Sequence, residues 1–176
     1  GGNCCIMRRS NTTTEMMKEY ISESLLILME GKAYDDISIG EITAKAGVNR
    51  STYYRNFSSK NEIIKFYFNK IIYEYLETVS KDIAFSEYLL IMFTHFYKYK
   101  RELLQIYKNG VSYLILEALN ETFTAFGETN TFDEQFKRYY HTGGIYNTFL
   151  LWFSDDMRKS PKHMSEITIS ILPDWV

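Results

Sequence analysis

The chain has 176 residues, 45% hydrophobic and 24% charged, with a formal net charge of −2. That is an ordinary globular composition with enough apolar mass for one or two domains and no bias toward disorder. The longest uncharged stretch, residues 139–154, is too short and too polar for a bilayer span of about 20 apolar residues.

The two cysteines, Cys4 and Cys5, are adjacent near the N-terminus and make no disulfide framework; with no apolar signal core before them, a cytoplasmic location is expected. Aromatics are 16% of the chain, so any core is bulky and its buried tyrosine hydroxyls need partners.

Residues 1–11, including Arg8 and Arg9, read as a flexible tail. The Asn11–Thr14 cluster then offers N-caps for a first helix, on which Met17, Ile21, Leu25 and Leu28 share one face and which Gly31 ends.

The stretch 38–60 organises the rest. Ser38 is a good N-cap and Glu41, three residues on, completes a capping box for a short helix. Gly47 falls where a left-handed residue ends it, and Asn49 can cap a second short helix through Arg55. Two helices joined by a tight glycine turn make a helix-turn-helix. Between 45 and 65 stand Lys45, Arg50, Arg55, Lys60 and Lys65 against Glu62 alone, a local +5 − 1 = +4 in an otherwise acidic chain. Arg50, Ser51 and Thr52 occupy the first turn, where a recognition helix meets base edges. Tyr54, Arg55, Asn56 and Lys60 supply donors for phosphate oxygens, and Ser38, Lys45 and Asn49 complete the expected DNA-facing set. Tyr53 and Phe57, four apart, are expected to anchor the motif to a core.

Ile42, Ala44, Ala46-Gly47-Val48, Thr52, Tyr53-Tyr54, Phe57, Ser59-Lys60 and Ile63 together resemble the N-terminal domain of the TetR family of transcriptional regulators. The resemblance covers roughly residues 12–66 and implies an all-α fold. It also implies a sequence-specific regulator, a ligand-responsive repressor in the first instance, that binds a double-stranded operator as a homodimer. The family often has His or Tyr where this chain has Asn56. The expected division is a DNA-binding domain over 12–60 with three helices, followed over 61–176 by a helical domain for effector binding and dimerisation.

Ser58 or Ser59 caps the next helix, whose apolar residues from Ile64 to Val79 repeat at three and four, carrying it to about Ser80. Residues 87–98 are hydrophobic on nearly every side and read as a central buried helix. Helices over 100–107 and 111–126 follow, then a loop over 127–131, a long helix over 132–157 and a last one opened by Ser160-Pro161.

In the TetR family the last two helices commonly pair with those of a second subunit. Carried onto this chain, that surface comprises Tyr139, Gly143, Gly144, Tyr146, Phe149, Trp152, Met164, Ile167 and Ile171. Adjacent glycines cost about 1 kcal/mol each in a helix, which a close helix crossing would offset. Gly143-Gly144, Trp152 and Ser160-Pro161 are also similar to the subset of the family that activates dihydroxyacetone kinase operons, where a protein coactivator replaces a small effector.

No catalytic constellation is present, so the chain is not expected to be an enzyme. His95, His141 and His163 stand far apart with no second ligand at helical spacing, so neither a metal nor any other cofactor is expected. Tyr88, His95, Tyr113, Tyr140 and His141 are the residues expected around a small, partly apolar effector.

Overall fold

A computed structural model describes residues 4–79, 83–125 and 131–171, with side chains from Thr13 onward; every described element is helical. In order these are α1 (Cys4–Leu28), a 3-10 turn (Tyr34–Asp36), α2 (Ile39–Ala46), α3 (Arg50–Asn56), α4 (Lys60–Thr78), α5 (Phe85–Lys98), α6 (Lys100–Lys108), α7 (Tyr113–Ala125), α8 (Phe132–Ser154) and α9 (Pro161–Ser170). Among the described residues, no helix is long and apolar enough to cross a membrane.

α1 starts well before the expected Asn11–Thr14 caps, because neither Pro nor Gly interrupts residues 4–28. Residues 1–3, the side chains of Cys4, Cys5, Arg8 and Arg9, and most of the expected loop at 127–131 lie outside what is described. Ile21 and Leu25 are fully buried, as their spacing requires, and α1 packs on α2, α3 and α4. α4 continues from this unit into the second half, where it packs on α5 and α7. There α5 lies on α9, and α8 on α6 and α7.

α5 differs from the expected all-round burial. Leu89, Met92, Phe93, His95 and Phe96 face the core, whereas Phe85, Leu90 and Tyr97 are exposed. The core there is an aromatic stack: Phe93 lies 5.5 Å edge-on to Trp152, and Phe96 lies 4.9 Å from Phe149, centroid to centroid.

α8 stops three residues before the expected Met157. Asp156 and Met157 take left-handed backbone (φ 50° and 48°), a costly conformation outside glycine. Contacts hold it there. Met157 is fully buried and its N–H donates to Trp152 O at 2.8 Å, while Lys108 pairs with Asp156 at 2.7 Å and Lys100 Nζ donates to Met157 O.

Several side chains join successive parts of the chain, Asn109 and Lys65 among them. Asn109 Oδ1 accepts from the Tyr34 N–H at 2.9 Å, and its Nδ2 donates to Gln105 O and Met29 O. Lys65 on α4 pairs with Glu121 (2.7 Å) and Glu117 (3.8 Å) on α7.

Candidate nucleic-acid interface

The turn between α2 and α3 forms as its residues dictate. Ser38 Oγ accepts from the Glu41 N–H, and Glu41 Oε2 accepts from the Ser38 N–H at 2.9 Å. Lys32 reaches Glu41 Oε1 at 2.7 Å; that bond, then those from Ser38, hold the Glu41 carboxyl down at about 2. Gly47 sits at φ +68° and closes α2 with its own N–H to Ala44 O and that of Val48 to Thr43 O, a Schellman arrangement. Asn49 Oδ1 then accepts from the Thr52 N–H at 3.0 Å and from the hydroxyls of Ser51 and Thr52.

α3 presents two unlike sides. Tyr53 is fully buried and Phe57 nearly so, with Tyr53 5.2 Å edge-on to Tyr54 and Phe57 5.7 Å from Phe66. On the other side Arg50, Ser51, Tyr54 and Arg55 are exposed, Tyr54 by 61%. Arg55 folds along its own helix, Nε to Ser51 O at 3.3 Å and a terminal nitrogen to Thr52 Oγ1 at 3.1 Å. Asn56 Nδ2 donates to Thr52 O at 2.7 Å. Arg50 has no partner among the described residues; its guanidinium lies over Gly40 of α2, so close that a Cβ at that glycine would meet it at 3.0 Å. Gly40 thus makes the seat from which Arg50 extends, a role its sequence position did not reveal.

Two of the five expected cations are turned inward. Lys60 Nζ donates to Tyr34 O (2.6 Å), Ile37 O (2.8 Å) and Asp35 O (3.3 Å) and sits 4.6 Å over the Tyr34 ring. All three ammonium donors are engaged, so Lys60 closes the 3-10 turn on α4 and has none left for phosphate. Lys65 faces α7. The outward cations are therefore Lys45, Arg50 and Arg55. Thr13 and Thr14 of α1, which read only as caps, line a groove with Met17, Thr52, Arg55 and Asn56.

Tyr53 Oη is buried with no hydrogen-bond partner. Replacing Tyr53 by Phe removes an unsatisfied hydroxyl at nearly constant volume, so stability in urea should be unchanged or about 1 kcal/mol higher. A loss above that size would reveal a partner for the hydroxyl.

The profile described as "Bacterial regulatory proteins, tetR family" matches residues 23–65, the whole of this motif with the end of α1 and the start of α4. Residues 23–65 thus form a TetR-type DNA-binding domain. Two solved structures share the all-helical fold, in which the TetR-type helix-turn-helix is followed by a helical domain. One is a TetR transcriptional regulator from Streptococcus agalactiae 2603V, at 16% identity and a TM-score of 0.61 over 94% of this chain and 98% of that one. The other is the dihydroxyacetone kinase operon activator DhaS, at 15% identity and a TM-score of 0.57 over 88% and 93%. No curated protein sequence matches the chain.

The residues expected around an effector do not converge. His95 is buried, with Nε2 2.9 Å from Ile71 O and its rings neighbours Tyr75, Phe96 and Tyr99; burial, then Lys98, pushes its pKa down. Tyr88 is half-buried against Tyr75 and Phe85. Tyr113, Tyr140 and His141 face outward, because α8 turns the positions 139–141 away from the core.

The expected pairing surface divides in two. Phe149, Trp152 and Met164 are buried within the chain and hold α5, α8 and α9 together. Tyr139, Gly144, Ile167 and Ile171 are exposed, and Gly143 and Tyr146 lie half-covered beside them. A Cβ at Gly143 or Gly144 would meet nothing within 4 Å. No neighbour among the described residues therefore requires these glycines.

Proposed function

We propose that this chain is a ligand-responsive repressor that binds a roughly palindromic operator as a homodimer. Its DNA-binding unit is taken as residues 12–60 and its effector-binding and dimerisation unit as 61–176. The observation that carries this reading is α3, whose aromatic side is sunk in the core while its charged side stands free. Arg50, with Ser51 beside it, reads base edges. Tyr54 and Arg55 contact phosphates, with Lys45 giving further attraction. Ser38, Asn49 and Asn56 act mainly by fixing the two helices, and Lys60 by fixing the turn before them.

Pairing is supported by the outward face of α8. Phe136, Tyr140, Gly144 and Leu151 recur near helical spacing and are exposed, and the two glycines leave room for another backbone. Two recognition helices then stand one DNA turn apart, about 34 Å. An effector acts only through its differential affinity for two spacings of those helices.

Selection of bound genomic fragments by the full chain should return two inverted half-sites. Arg50→Ala should cost about 1–3 kcal/mol on that operator and relax preference at one base pair of each half-site. Unselective recovery of fragments, or unchanged affinity in the variant, rejects the reading. A second reading has an activator whose C-terminal half meets a protein; it is favoured by the similarity to DhaS and by the dispersal of the five expected effector residues.

A further inference from the structure

A cleft of about 240 Å³ opens where α1, α4 and α6 meet, at the junction of the two halves. Its rim carries the carboxylates of Glu23 from α1, of Glu30 from the turn after it and of Glu102 from α6, against the single guanidinium of Arg101. Arg101 pairs with Glu30 and interacts electrostatically with Glu102, whereas Glu23 forms no ion pair among the described residues. Leu26 and the half-exposed Ile27 form an apolar wall. Tyr67 of α4 lies at the base. It is nine-tenths buried, yet its hydroxyl makes no hydrogen bond. Burial first, then the neighbouring Glu102, Tyr99, Glu23 and Glu74, hold that hydroxyl's pKa up.

We propose that this cleft is a binding site for a small organic cation, an amine or guanidine on a short alkyl chain. Three carboxylates against one guanidinium leave the rim net negative, which disfavours an anion and attracts a cation. The described residues form no group of carboxylates able to hold a metal ion, so charge must come on an organic frame. The apolar wall suits methylenes, the aromatic ring suits a cationic head, and the free hydroxyl accepts from one of its N–H groups. The volume is that of about eight waters at ~30 Å³ each, enough for a chain of four or five carbons with a charged group at either end.

The chain already holds one cation at this rim. Arg101 on α6 ties Glu30 in the turn after α1, so it joins the regulatory half to the DNA-binding half. A ligand guanidinium competes for the same carboxylate. Binding then loosens that tie, which makes the ligand an effector; this second step rests on the operator-binding reading above, while binding itself does not.

Agmatine, with an ammonium and a guanidinium on four carbons, is the probe, and 1,4-butanediol its uncharged counterpart. About 10 mM agmatine should raise Tm of the full chain by about 3 °C, against less than about 1 °C for butanediol or for sodium chloride at equal ionic strength. Glu23→Gln with Glu102→Gln should abolish that shift without lowering Tm of the free chain, since both groups are at the surface. Absence of the shift, or its persistence in the double variant, overturns the site. On selected operator DNA, agmatine should weaken binding about fivefold. Undiminished DNA binding while the Tm shift persists rejects the effector role alone. Failure to retain any operator refutes the DNA reading, and the thermal result still decides the cleft.

Discussion

Trp152→Ala should destabilise the chain by about 3–5 kcal/mol, the range for deleting a large aromatic from a core that cannot collapse around the void. Trp152 is 1% exposed and touches α5, its own helix and the turn before α9. It lies edge-on to Phe93, stacks on Tyr97 at 5.8 Å, and its Nε1 donates to Lys159 O at 3.0 Å across the turn between α8 and α9. Truncation therefore opens a cavity and also frees the left-handed turn at Asp156 and Met157 to relax. For a chain of this length the loss corresponds to a fall in Tm of about 10 °C. Urea unfolding monitored by far-UV circular dichroism reads it directly. A Trp152→Ala loss below about 1 kcal/mol would mean that α9 is not pinned through this ring.

Leu151→Glu tests the proposed pairing, and its expected effect is a dimer dissociation constant raised about a hundredfold or more. Leu151 is 71% exposed in the single chain, so the substitution costs the monomer little. In a two-fold pair each copy brings the same residue, so two carboxylates enter one apolar contact and neither has a partner; such a mismatch costs several kcal/mol. Sedimentation velocity across a dilution series measures the shift, and circular dichroism checks that helicity is retained. Operator affinity should fall with it, because one recognition helix alone holds DNA weakly. An unaltered dissociation constant would place the pairing surface elsewhere.

The helix-turn-helix was legible because its signals are local. Ser38 with Glu41, Gly47 and Asn49 act through bonds to neighbours three or four residues away, and sequence spacing suffices to find them. Tyr53 and Phe57 likewise followed from a four-residue interval. What escaped depends on the third dimension. The inward ammonium of Lys60 answers to carbonyls at 34–37, and the seat that Gly40 gives Arg50 lies across a turn. Trp152, Phe149 and Met164 stand in the expected pairing surface because the family resemblance carries over whole helices, and only their packing inside the chain shows that they face inward. The effector residues failed for a related reason. Tyr140 and His141 share a stretch with core residues but not their side of the helix, and no spacing rule brings Tyr113 to them.

Tyr34 is gripped from three sides: Asn109 takes its N–H, Lys60 its carbonyl, and Asn61 accepts from its hydroxyl at 2.7 Å. One of these hands belongs to the end of α6 and the other two to the start of α4. The two halves are thus joined like a door on two pins, one covalent along α4 and one through a single backbone unit, with the Arg101–Glu30 pair as a latch between them. A displacement of α6 reaches the 3-10 turn, and through it the N-terminus of α2, as a swivel about that fixed line instead of a free swing.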